Sequence, residues 1–252
     1  MASAARVLDT IDTGRIHTPE DAAEYEARYA GVPAPAMLAD LLAGELRGRV
    51  AAVSSFGAES AVLLHMVAEV DRDTPVLFTN TQKMFGDTLA YRDELAETLG
   101  LTGLRVHRPD PRLLAAKDAT GLRWSYDPDG CCELRKVEPL ARALRPFDAW
   151  ISGRKRAQSS TRAALPRFQS DAGRLKINPL ADWSKPDLDA YFAEHRLPRH
   201  PLEAQGYLSI GCAPCTSKVQ PGEDPRAGRW RGWDKVECGI HLPSTPGEDP
   251  IF

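Results

Sequence analysis

The sequence predicts an α/β protein with a mostly parallel central sheet and helices on both faces. Short apolar runs of strand length alternate with longer helical stretches, the order that builds βαβ units and hence a parallel sheet. The loops after two of those runs are rich in hydroxyl or basic side chains, at the strand ends where open α/β sheets bind ligands. The chain has 252 residues with 42% hydrophobic content, enough for one large domain or two small ones with a sizeable core.

Residues 19–29 read as a first helix, with Thr18 as cap and Pro19 in the first turn. A second helix is expected over 36–46. Residues 49–53 form a short buried strand that runs through 54–60 into a helix over 61–70. A strand at 75–79 precedes an amphipathic helix at 87–99, with Leu89, Leu95 and Leu99 among its apolar positions. Strands follow at 104–107 and 148–152, separated by a helix over 131–144. Residues 175–177 add a strand and 185–195 a helix. From about residue 220 Pro, Gly and charge dominate, so residues 220–252 read as a mobile tail. Residues 1–45 read as an N-terminal helical segment and 46–219 as the main domain. The sequence shows no internal repeat.

With 32 Lys and Arg against 35 Asp and Glu, the formal charge is −3, which argues against general nucleic-acid binding. No apolar run approaches the roughly 20 residues that span a bilayer. The first ten residues lack the apolar core of a secretory leader. The reading is a soluble protein of a reducing, cytoplasmic compartment.

Five cysteines carry the strongest functional signal. Cys131 and Cys132 are adjacent, Cys212 and Cys215 flank Ala-Pro, and Cys238 stands alone in Glu237-Cys238-Gly239-Ile240-His241. Four thiols in two pairs suggest an inorganic centre, and the fifth a separate nucleophile. Adjacent cysteines chelate one small ion poorly, since their side chains diverge on a helix. A [4Fe–4S] cluster offers each thiolate its own iron, which favours it over zinc; buried free thiols are the remaining alternative. The odd count and long chain argue against a disulfide framework.

Ser54, Ser55, Phe56, Gly57 and Ser60 lie at a strand–helix junction, where backbone N–H groups and a helix N-terminus can face an anion. The Gly-x4-Gly-Lys pattern of a P-loop is absent, and by itself this segment also reads as an ordinary turn. Residues 153–162, Gly-Arg-Lys-Arg-Ala-Gln-Ser-Ser-Thr-Arg, follow the 148–152 strand, and Lys155, Arg156 and Arg162 there could grip phosphate or sulfate. A solvated basic loop is the alternative.

Taken together, Cys131-Cys132-Glu133-Leu134-Arg135-Lys136-Val137-Glu138-Pro139-Leu140, Gly211-Cys212-Ala213-Pro214-Cys215-Thr216 and Glu237-Cys238-Gly239-Ile240-His241 closely resemble the assimilatory sulfonucleotide reductases of the cluster-containing, adenylyl-sulfate (APS) reducing type. Residues 88–93 and 226–230 look familial as well, and the likeness covers roughly 45–241. The resemblance implies an adenine-nucleotide α-hydrolase-like fold. It also implies reduction of adenosine 5′-phosphosulfate to sulfite and AMP, with thioredoxin as electron donor, in sulfate assimilation and cysteine biosynthesis. Cys238 would be the nucleophile, and Cys131, Cys132, Cys212 and Cys215 would hold the [4Fe–4S] cluster.

The basic loop departs from the family's Gly-x-Arg-Arg-Asp-Gln-Ser-Pro: Lys155 takes the first Arg position, Ala157 the Asp and Ser160 the Pro. Residues 80–85, Asn-Thr-Gln-Lys-Met-Phe, replace a more usual Asp-Thr-Gly start.

Several roles follow as expectations. Lys136, one turn beyond Cys132, would offset cluster charge and touch the substrate's sulfate. Arg226 and Arg229 would favour the Cys238 thiolate against Glu237 and contact substrate, as would Thr79. His241 could orient the sulfonate. Association with further copies of the chain as a homo-oligomer is compatible with the sequence. The competing readings are a reductase of the 3′-phosphorylated substrate PAPS or of both, a nucleotide-activating sulfurtransferase, whose Ser-Gly-Gly-x-Asp-Ser loop is broken here by Phe56, Ala58 and Glu59, and an iron–sulfur redox sensor.

Overall fold

Apolar residues on the central strands alternate between two buried faces, and this alternation organises the molecule. In the computed structural model, which describes residues 15–241, six strands form one sheet in the order β3-β2-β1-β4-β6-β5. They are β1 (Val50–Val53), β2 (Val76–Thr79), β3 (Leu104–His107), β4 (Ala149–Ser152), β5 (Phe168–Asp171) and β6 (Arg174–Ile177). All neighbours are parallel except β5 on β6. The first residues, read for a leader, and the last eleven of the expected tail lie outside the described residues.

Val50, Ala52, Val76, Phe78, Ala149 and Ile151 point to one face and join a cluster with α2 (Ala34–Ala43), α3 (Ser60–Val70) and α4 (Gly86–Leu99). Ala51, Leu77 and Trp150 point to the other and pack on Leu140, Ala143 and Leu144 of α7 (Glu138–Leu144). The expected layering of helices on both faces is therefore present. No helix among the described residues is long and apolar enough to cross a membrane.

Helix α1 (Pro19–Arg28) is closed by a capping box in which Thr18 and Asp21 exchange hydrogen bonds, as Thr18 and Pro19 foretold. It packs on the β5 edge, where Tyr25 and Tyr29 each stack on Phe168 at 5.5 Å. Strand β5 was not expected, since Phe-Gln-Ser-Asp lacks an apolar alternation. It is fixed by a two-residue hairpin at Ala172 and Gly173, both with positive φ (50° and 76°), the backbone twist that a tight hairpin requires. A short helix α5 (Pro111–Lys117), capped by Asp110, was also not anticipated.

The helix expected over 131–144 is three pieces: α6 (Pro128–Cys132), a π turn (Glu133–Val137) and α7. Pro139 supplies the physical reason. It has no N–H for the Arg135 carbonyl four residues back, and its ring crowds that carbonyl, so the preceding turn widens. The Arg135 side chain is buried against Asp118, donating Nη2 and Nε to one oxygen, Oδ2 (2.6 Å and 3.0 Å), and donates Nη1 to the Thr81 carbonyl at 2.9 Å. The cysteine-bearing helix is thereby tied to the loop after β2.

Candidate active site

The sheet reverses its winding direction at β1, with β2 on one side and β4 on the other, and ligand crevices form at the carboxyl ends of strands at such a point. The loops leaving β1 and β4 are the two that the sequence singled out. They border one cleft of about 370 Å³. Ser54, Ser55, Gly57 and Ser60 line it, as do Thr79 from the end of β2 and Lys155 and Arg162 from the loop after β4. Lys136, Arg226, Arg229, Cys238 and His241 complete the lining expected from the sequence. Residues 225–241 fold over the cleft, and Trp230, only 3% exposed, anchors them.

Two expected residues face elsewhere. The Phe56 ring points into the core and meets Phe78 edge-on at 5.4 Å, held there by a φ of 50° and an N–H bond to Ser54 Oγ. Arg156 turns outward, donating Nε to the Leu165 carbonyl at 2.7 Å and pairing with Asp182. A third cation of that loop, Arg154, lines the cleft beside Lys155 and Arg162, and sequence reasoning passed over it because it occupies the variable position of the family's loop. Its Nη2 donates to Gln169 Oε1 at 2.6 Å and its Nε to Asn178 Oδ1 at 3.3 Å. Burial, reinforced by Arg162, pulls its pKa down to about 10. Lys155 lines the cleft, but its ammonium is paired with Glu59 at 2.9 Å and bonded to the Gly153 carbonyl at 2.9 Å.

A second, smaller cavity lies alongside, lined by Cys131, Cys132, Cys212 and Cys215 together with Lys83, Trp124, Arg135, Lys136, Arg229 and Trp230. Lys136, Arg229 and Trp230 line both cavities and so form the wall between them. Among the described residues, no three His, Cys, Asp or Glu side chains converge as ligands of a single metal ion.

The loop after β2 arranges the second cysteine pair. Thr81 Oγ1 lies 3.2 Å from Cys212 Sγ, Ala213 N–H donates to the Lys83 carbonyl at 2.7 Å, and Met84 bridges to Cys212. Residues 80–85, whose departure from the family pattern left their role open, thus act on the thiol pocket. Gly211 permits a close approach: a Cβ there would sit 2.3 Å from the Arg229 guanidinium. The Arg229 Nε and Trp230 Nε1 donors are buried without a partner among the described residues.

Electrostatics distinguishes the thiols. Burial and the neighbouring Cys212 push Cys131 up to about 11, and burial raises Cys215 as well. Cys132 and Cys238 pack together in one buried cluster, and competition between the two thiols for a proton raises Cys132 and holds Cys238 well below the ordinary thiol range. The Lys136 and Arg229 charges favour the Cys238 thiolate too. Burial opposes charge on Lys136, but the surrounding thiols outweigh it and keep the ammonium protonated. Glu237, feared as a destabilising neighbour of a thiolate, is neutralised by Arg162 (2.5 Å) and Arg226 (3.3 Å). His241 stacks on Trp150 (6.1 Å between centroids, 7° between planes), and burial among Lys176, Arg154, Arg162 and Arg226 keeps it neutral.

The sequence pattern of the phosphoadenosine phosphosulfate reductase domain matches residues 49–218. The chain belongs to that family. It is 51% identical over 243 residues to adenosine 5′-phosphosulfate reductase of Mesorhizobium japonicum, covering 96% of this chain and 95% of that one. It is 52% identical over 225 residues to the enzyme of the same name from a Chelativorans species, covering 88% and 91%. The crystal structure of PAPS reductase from Candida auris, in a phosphate complex, superimposes with a TM-score of 0.68 at 26% identity, covering 82% of this chain and 100% of that chain. The enzyme is therefore a sulfonucleotide reductase, an oxidoreductase, with the adenine-nucleotide α-hydrolase-like fold that the sequence implied.

Proposed function

We propose that the enzyme reduces adenosine 5′-phosphosulfate to sulfite and AMP, with Cys238 as nucleophile and a thioredoxin-type dithiol as electron donor. The observation that carries the reading is the meeting of a thiolate-favouring Cys238 with four cationic side chains, Arg154, Arg162, Arg226 and Lys136, around one nucleotide-sized cleft. The named relatives support APS as the substrate.

Ser54, Ser55, Gly57 and the N-terminus of α3 would receive the nucleotide's phosphate. The arginines would hold the sulfate bidentately. The Cys238 thiolate attacks the sulfate sulfur; an S–S bond forms, the S–O bond to the phosphate breaks, and its electron pair leaves with AMP. A donor thiolate then attacks Cys238 Sγ and expels sulfite, and the donor's second thiol releases Cys238 as the donor becomes a disulfide. His241, neutral and stacked, would orient the Cys238 segment rather than supply a proton.

The residues of the second cavity fit a [4Fe–4S] cluster. Four thiols open on one space without converging on a single ion, and Arg229 and Trp230, each with a buried N–H lacking a partner among the described residues, line that space too. Cys131, Cys132, Cys212 and Cys215 would hold it. When bound, such a cluster contributes negative charge beside Lys136 and Arg229. With Cys132 held by iron, its influence on Cys238 would fall away, and those two cations would remain to favour the nucleophile's thiolate.

The test is anaerobic purification followed by iron and sulfide analysis and parallel sulfite assays with APS and PAPS. About four irons and four sulfides per chain are expected, with APS the preferred substrate. Zinc without sulfide sinks the cluster, and a strong preference for PAPS reverses the substrate assignment.

The side-chain placement separates two arginines of one loop. Arg154→Ala removes a charged donor from the cleft and should raise KM by roughly 10- to 100-fold, the equivalent of about 1.5–3 kcal/mol. Arg156→Ala breaks an outward-facing ion pair and a hydrogen bond to the Leu165 carbonyl, neither of them in the cleft, and should leave KM within about twofold. Steady-state kinetics on both variants checks this; equal effects would show that the loop rearranges on binding.

A further inference from the structure

The closed position of the Cys238 segment has a specific fastening. Glu237 inserts its carboxylate between Arg162 and Arg226, with side-chain exposures of 11%, 7% and 14%. Arg226 Nη2 also donates to the Val236 carbonyl at 3.0 Å, and the Cys238 N–H points back to Glu237 Oε2 at 3.3 Å. Beyond Cys238, Gly239 presses on the π turn so closely that a Cβ would lie 2.8 Å from Val137. In this position Cys238 is only 7% exposed. A donor protein could not reach its sulfur, so the segment must open once per turnover.

Both arginines also line the cleft. A guanidinium has five donors, and Glu237 takes one from each, so each arginine can hold the latch and a bound anion together. We propose that Glu237 is a positioning residue: its ion pair with Arg162 and Arg226 seats Cys238 over the cleft and ties closure to the arginines that receive the substrate. Carboxylate and substrate anion are then held by one pair of cations, so the closed segment and the substrate meet at the same two side chains. The inference rests on Cys238 being the nucleophile for its kinetic part, but not for its structural part.

The test uses full-length, iron-loaded protein. Alkylation by iodoacetamide, read on the Cys238 peptide by mass spectrometry, should be at least about tenfold faster in Glu237→Ala than in wild type, since a broken latch leaves the segment open more of the time. AMP affinity by calorimetry should stay within about threefold. Single-turnover loading of a sulfonate onto Cys238 from saturating APS should slow by about tenfold or more, a kcat effect without a matching KM effect. Glu237→Gln, which keeps the size and one acceptor, should fall between, and it replaces the alanine variant if that one fails to retain iron.

Unchanged alkylation in both variants overturns the latch. Faster sulfonate loading with tighter AMP binding overturns it as well, by showing that Glu237 instead plugs the arginines against substrate. If wild-type Cys238 takes up no sulfonate, the nucleophile assignment fails, while the alkylation comparison still decides the latch.

Discussion

Cys238→Ser should yield a folded, iron-bearing protein that binds nucleotide and does not turn over. The serine hydroxyl has a far higher pKa than the thiol, and the nearest bases among the described residues are not free to activate it: the adjacent Glu237 is engaged by two arginines and His241 is stacked on Trp150. The favourable field of Lys136 and Arg229 cannot bridge that gap. A loss of at least about 10³-fold in sulfite formation is expected. Cys238 itself buries little volume, so the melting temperature should barely move. Wild-type protein given APS without a reductant should gain one sulfonate on the Cys238 peptide, and thioredoxin should remove it as sulfite appears. A modified Cys131 or Cys212 instead, or an active Cys238→Ser enzyme, would overturn the mechanism.

Asp118→Ala should be among the most destabilising single changes in the molecule. The Asp118 and Arg135 side chains are 0% and 5% exposed, and removing one partner leaves a buried guanidinium half-paired. Such losses cost about 3–5 kcal/mol, which for a chain of this size lowers the melting temperature by on the order of 10 °C. The damage should spread to the thiol pocket, because Arg135 ties the Cys131–Cys132 helix to Thr81, and Thr81 touches Cys212. Iron loss to a chelator should therefore accelerate, and Asp118→Asn, which keeps an acceptor, should show less of both effects. Burial works against the Asp118 charge, but the Arg123 N–H and the Arg135 guanidinium outweigh it and hold the carboxyl below its usual range. Its contribution is thus complete at neutral pH and is lost only as pH falls through that lowered pKa. Thermal scans at pH 7 with parallel iron retention check the prediction; an unchanged melting temperature would show that Arg135 finds water or another acceptor.

Much of this architecture was legible in the sequence, because parallel strands buried on both faces leave unmistakable apolar runs. The strands expected over 49–53, 75–79 and 148–152 fall within one residue of β1, β2 and β4, and the Thr18 cap falls to the residue. What escaped did so for identifiable reasons. Strand β5 is an edge held by a hairpin turn and by two tyrosines far away in the chain, and its own residues carry no period. The π turn was encoded by Pro139 but is invisible to an argument built on a 3.6-residue repeat. Trp230 sits in a stretch whose Gly and Pro content suggests solvent, yet it is buried by a cavity wall that only the tertiary fold assembles. The cysteine motifs marked the residues that line the two cavities, whereas the orientation of neighbouring arginines did not follow from their order. Arg154 faces in and Arg156 faces out because the backbone between them turns, with Lys155 locked to Glu59.

The partition formed by Lys136, Arg229 and Trp230 has a thermodynamic consequence. Whatever fills the thiol pocket and whatever fills the nucleotide cleft draw on the same two positive charges, so their affinities are not independent quantities. By reciprocity, the factor by which an occupant on one side strengthens or weakens binding on the other must act identically in the opposite direction. The hold on any occupant of the thiol pocket is then a function of nucleotide concentration, and the apparent nucleotide affinity a function of how completely that pocket is filled.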